Sequence, residues 1–185
     1  SQMEGKDFFV AVLDAALAES RVDLCVHSMK DLSLQRPAAF TLAAVPKRAD
    51  PRDVVLFSPK ILEKLRSGGP VFIGTSSPRR LENVPGFLKN AMPFFGREVP
   101  LKFVEIRGNV NTRLSRVHES GEKALDGVVL ALAGLTRLHA DPKARVELDQ
   151  LMQGVRIMVL PLRENPKAPA QGALRRRPHD RQDDP

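Results

Sequence analysis

At 185 residues with 42% apolar side chains, the chain is long enough to bury one sizeable core or two small ones. It has no apolar run of membrane-spanning length and no secretory leader pattern, and its single cysteine, Cys25, rules out an internal disulfide and fits a reducing, cytoplasmic compartment. The 29 Lys and Arg against 22 Asp and Glu leave a formal charge of +7, which calls for an anionic partner. The lack of Trp and Tyr, with Phe not interleaved among the basic residues, argues against single-stranded nucleic acid as that partner.

In chain order, the Ala-rich stretch 8–18, FFVAVLDAALA, has helical spacing. VDLCV (22–26) reads as a buried strand followed by the polar turn HSMKD, and FTLAAV (40–45) as another strand. PKRADPRD (46–53), with two prolines and alternating charge, reads as a loop or hinge. A second series follows: strand VVLF, helix PKILEKLRSGG, strand VFIG, and a helix from Pro78 interrupted at Pro85 and Gly86. Then come strand LKFVEIRG (101–108), helix NTRLSRVHES capped by Asn111 or Thr112, strand LDGVVLALAG (125–134), a helical piece GLTRLHA and strand VRIMVLPL (155–162). Alternating strands and helices predict an α/β fold with mainly parallel sheet in two similar lobes.

Ligands in open α/β sheets sit beyond the carboxyl ends of the strands, and there this sequence collects charge. His27, Ser28, Lys30 and Asp31 follow VDLCV; Thr75, Ser76, Ser77, Arg79 and Arg80 follow VFIG; Arg107, Gly108, Asn109 and Arg113 follow KFVEI; Arg137 follows VVLALAG. Arg79 and Arg80 fall in the first turn of a helix started by Ser76 or Ser77 and Pro78, where the helix dipole disfavours cations. A ligand with several carboxylates accounts for them, because a guanidinium fork binds a carboxylate bidentately. Asp31 is the only carboxylate in this set. Taken singly, each residue has a plainer reading: solvated surface for Arg79 and Arg80, a packed strand end for His27, an inert thiol for Cys25. Repetition at equivalent strand ends favours the site. His118 and His139 supply no metal-ligand spacing, and no metal is expected.

VDLCVHSMKDL, LAAVPKRADPRDVVL, IGTSSPRR, IRGNVNTRL, ALAGLTRL and PAQGAL, in this order over residues 5–174, closely resemble the hydroxymethylbilane synthase (porphobilinogen deaminase) family. The resemblance implies a cytoplasmic, usually monomeric transferase of heme and tetrapyrrole biosynthesis that condenses four porphobilinogen molecules with release of ammonia. It implies two lobes like periplasmic binding proteins, and a third domain whose cysteine anchors a dipyrromethane cofactor. Porphobilinogen and linear pyrrole chains are then the partners, with neither nucleic acid nor membrane. Matched by motif, Asp31 is the catalytic aspartate, with Lys30 beside it. Ser28, Thr75, Ser77, Arg79, Arg80, Arg107, Gly108, Arg113 and Arg137 bind acetate and propionate groups, and Phe9 is the aromatic of a mobile segment near the active site.

Laid on that pattern, 1–53 is expected as part of domain 1 ending in a hinge and 54–158 as domain 2. Residues 159–174 form a second hinge back to domain 1, and 175–185 a disordered tail. The first lobe is expected to lack its opening strand and helix, and the third domain to be absent. No covalent dipyrromethane and impaired activity are then expected of these 185 residues alone, with self-association through an open sheet edge. Pro78 and PKAPAQGAL depart from the usual pattern. The alternative is a non-catalytic module that binds anions or pyrrole carboxylates.

Overall fold

A computed structural model describes residues 2–28, 32, 38–121 and 124–167, with backbone alone for 2–9. The described residues divide into two compact units, 2–48 and Ala49–Lys167. No helix among them is long and apolar enough to cross a membrane.

In the first unit, α1 (Gln2–Ala18) extends the expected helix toward the amino terminus. The chain turns at Ser20, whose φ is +56°, and doubles back so that the Cys25 thiol donates to the Leu13 carbonyl at 3.4 Å. The strands expected at 22–26 and 40–45 are not present. A strand exists only as a member of a ladder, and neither segment has a partner among the described residues. Leu24 and Val26 are exposed, not buried.

The second unit holds β1 (Asp53–Phe57), α2 (Ile61–Ser67), β2 (Val71–Gly74), α3 (Pro78–Ala91), β3 (Leu101–Val104), α4 (Val110–Ser115), β4 (Gly127–Ala131), α5 (Leu132–Ala140), α6 (Pro142–Leu151) and β5 (Arg156–Leu160). The open sheet has the order β3-β2-β4-β1-β5. β2 runs parallel to β3 and β4, while β1 is antiparallel to both β4 and β5. Four strands therefore point one way and β1 alone opposes them.

Val54, Leu56, Val128 and Leu130 pack with Ile106, Leu114, Leu135 and Leu148 on one face. Val55, Phe57, Val129 and Leu160 pack with Ile61, Leu65, Val84 and Leu88 on the other. A sheet covered on both faces needs apolar residues at consecutive positions, which is why VVLF and GVVL are unbroken apolar runs.

Several boundaries differ from expectation. The run 125–134 is strand only to Ala131, because the last rung pairs Ala131 with Asp53 and the good helix formers after it start α5. α3 runs through Pro85 and Gly86 without interruption. Leu81, whose carbonyl Pro85 leaves without an N–H partner, lies exposed to water. β3 stops at Val104. The cap of α4 is Asn109, whose side chain accepts from the Thr112 N–H at 2.8 Å.

Candidate functional site

The direction of the strands sets the site. One edge of the sheet gathers the carboxyl ends of β2, β3, β4 and β5 and the amino end of β1. The residue at that amino end is Asp53, paired in register with Ala131 and Leu160 and wholly buried. A buried carboxylate survives only if it is paired and hydrogen-bonded.

Four donors meet it. Arg79 Nη2 and Asn165 Nδ2 donate to Oδ2, the latter at 2.8 Å. Arg80 Nη2 (2.9 Å) and Lys167 Nζ (2.7 Å) donate to Oδ1. The two oxygens offer about four lone-pair positions, so Asp53 is saturated. Arg79 also donates from Nη1 to Asn165 Oδ1 at 2.7 Å and to the Pro166 carbonyl at 3.1 Å. Arg80 Nη1 donates to the Val129 carbonyl at 3.0 Å. Both guanidiniums retain a buried Nε with no acceptor among the described residues.

The charges do not cancel. Two arginines and a lysine, with side chains 13%, 12% and 11% exposed, face one carboxylate, which leaves a local surplus of two positive charges. Burial pushes the Asp53 pKa up, but hydrogen bonds and charge from Arg80, then Arg79 and Lys167, override it and hold the carboxyl well below the usual range. Lys167 is pushed down by burial first and then by the charges of Arg79 and Arg80, more than Asp53 lifts it. Asp53 is already neutralised by the arginines, so Lys167 is the cation in excess.

Asp53 thus corrects the expectation that Asp31 is the sole carboxylate among these cations. It also supplies an internal reason for two arginines at the start of α3. Ser77 is the N-cap residue, without a side-chain cap bond, and Pro78 is the first helical residue. Thr75, buried at the end of β2, accepts the Ser77 N–H on its hydroxyl at 3.3 Å.

Among the described residues, Arg107, Arg113 and Arg137 are not partners of Asp53. Arg107 is exposed and pairs with Glu105 at 2.9 Å. Gly108 has a φ of +112°, and a Cβ there would meet the Thr112 side chain at 2.9 Å. Arg113 Nε donates to the Gly108 carbonyl at 2.7 Å and braces that turn. Arg137 is exposed in the last turn of α5, away from the edge where that helix begins. Ser28 is exposed in the first unit. Lys30, Asp31, the Phe9 side chain, PAQGAL and the 175–185 tail lie outside the described residues.

Sequence reasoning missed Asp53, Asn165 and Lys167. One signal was present: Asp53 opens a run of residues buried on both faces, where a carboxylate demands cationic partners.

A family model described as "Porphobilinogen deaminase, dipyromethane cofactor binding domain" matches residues 1–183. The chain is 43% identical over 140 residues to the porphobilinogen deaminase of Alkaliphilus metalliredigens, covering 75% of this chain and 40% of that protein. It is 37% identical over 175 residues to that of Burkholderia orbicola, covering 94% and 44%. To porphobilinogen deaminase 1 of Streptomyces avermitilis it is 38% identical over 179 residues, covering 94% and 48%. The chain spans a little under half the length of these relatives.

Proposed function

This chain belongs to the porphobilinogen deaminase family, and from that membership we propose that it serves the condensation of porphobilinogen into hydroxymethylbilane with release of ammonia. In this reading the sheet edge of the unit Ala49–Lys167, which contains the 54–158 expected as domain 2, grips pyrrole carboxylates. The surplus positive charge around Asp53 carries the proposal, because a cluster of three nearly buried cations on one carboxylate is poised for further anions.

The same observation fits the family's dipyrromethane. A ligand with several carboxylates matches a site that, among the described residues, has surplus cations and two guanidinium Nε atoms lacking acceptors. When bound, that group supplies the pyrroles from which the chain grows.

The chain's own residues bind and orient. Arg79 and Arg80, whose Nη atoms rest on Asp53, Asn165 and backbone carbonyls, supply the positive charge at the start of α3, with Thr75 and Ser77 preceding them in sequence. Arg107 and Arg113, on the turn that Gly108 permits, take carboxylates of neighbouring pyrroles; by family resemblance alone Arg137 and Ser28 are further binding residues. Asp31 accepts pyrrole N–H groups and stabilises the positive charge that develops on the substrate as ammonia leaves, with Lys30 next to it in sequence and Phe9 as the family's aromatic near the active site.

The test supplies porphobilinogen to the full-length protein and follows ammonia and the linear tetrapyrrole. Ammonia release is expected, and Asp31→Asn is expected to keep ligand binding and lose about a hundredfold or more in turnover. Absence of ammonia release, or an Asp31→Asn variant with parental turnover, overturns the assignment.

A further inference from the structure

Lys167 has a role that saturation of Asp53 leaves open. The Asp53 oxygens already receive Arg79, Arg80 and Asn165. Lys167 reaches Oδ1 at 2.7 Å with a side chain only 11% exposed. An ammonium carries three donors, and Asp53 is its one acceptor among the described residues. Neutralising Asp53 does not require it, since two guanidiniums more than balance one carboxylate. Holding a third cation beside them costs desolvation and like-charge repulsion. Among the described residues no further anion offsets that cost, and an anionic ligand would. The Arg79 and Arg80 Nε atoms, buried and without acceptors among the described residues, point to the same shortage.

We propose that Lys167 is a binding residue for a carboxylate of the pyrrole ligand, with Asp53 as the built-in counter-ion that holds Lys167, Arg79 and Arg80 together while the site is empty. The proposal rests on the reading of this edge as a carboxylate site and adds to it a cation that the strand-end motifs do not contain. Lys167 lies on the segment after β5, so the ligand is gripped from the chain that leaves the sheet as well as from α3.

The experiment is a calorimetric titration with a free dipyrromethane bearing acetate and propionate groups, with its methyl esters as control. It compares Lys167→Met, Lys167→Arg and Arg80→Leu, each with a thermal melt. Lys167→Met is expected to weaken binding about tenfold or more, the scale of a lost charge-assisted hydrogen bond. Lys167→Arg is expected to stay within about threefold of the parent, and the esters not to bind. The Lys167→Met melting temperature should equal or exceed the parent's, because a surplus buried cation has been removed.

If Lys167→Met binds like the parent while Arg80→Leu does not, the role of Lys167 is overturned and the carboxylate site stands. If neither variant weakens binding, or the esters bind equally, both fall. A Lys167→Met variant that melts several degrees lower places Lys167 in the fold rather than the site, which also overturns the proposal.

Discussion

Changing Asp53 to Asn keeps the shape of the side chain but removes the one negative charge that three buried cations share. Breaking a buried ion cluster from one side costs about 3–5 kcal/mol, so Asp53→Asn should shift urea unfolding by that amount. Circular dichroism is the suitable readout, because the chain has neither Trp nor Tyr. The pH dependence has a definite sign. The folded pKa of Asp53 lies below its ordinary value, so its contribution is full above about pH 4. It is lost as pH falls toward the folded value. Stability of the parent should fall across that acid window, and the slope should be shallower in Asp53→Asn. An equal slope in both proteins would remove Asp53 from the acid transition. Asp50 differs although it too is lowered, to about 2, chiefly by its side-chain bond to Arg52. That pair is half exposed, and surface pairs contribute little.

Two glycines separate backbone cost from backbone need. Gly86 sits inside α3 with nothing within 4 Å of a built Cβ. Gly86→Ala should therefore stabilise by about 0.5–1 kcal/mol, because glycine forfeits more chain entropy in a helix. Gly108 has a φ of +112°, and a Cβ would press on Thr112. Gly108→Ala should cost about 1–3 kcal/mol and loosen the turn that carries Arg107 and Arg113. Thermal melts of the two variants should move in opposite directions, and movement in the same direction would contradict the geometry. The same elements show what the sequence made legible. VVLF and VFIG announce strands because both faces of the sheet are covered there. RIMVL is an edge strand, with Ile157 and Val159 exposed, and only its apolar run announces it. VDLCV and FTLAAV have equal apolar content yet form no strand, because composition signals burial while only a ladder partner makes a strand. For the site, the position of Arg79 and Arg80 at a strand-to-helix turn was readable from VFIGTSSPRR. Their pairing with Asp53, Asn165 and Lys167 was not, since it joins segments 26 to 114 residues apart that only the order β3-β2-β4-β1-β5 brings to one edge.

Across the whole molecule the +7 charge acts through two kinds of cation that salt should distinguish. Arg107, whose side chain is 85% exposed, attracts an anion through water and is screened, whereas Arg79, Arg80 and Lys167 are nearly enclosed. The screening length falls from about 10 Å at 0.1 M to about 3 Å at 1 M salt, while buried pairs are screened much less. Affinity for a carboxylated dipyrromethane should therefore drop several-fold over that range and then level off, not vanish. The drop belongs to the exposed arginines, so Arg107→Gln should flatten it and leave the plateau near the parent's. The plateau belongs to the enclosed cluster, so Arg80→Leu should lower it and leave the slope nearly intact. Titrations of the parent and both variants at four salt concentrations decide the matter. A parent affinity that keeps falling to 1 M with no plateau would mean that the anion is held by the surface field alone and never reaches the cations around Asp53.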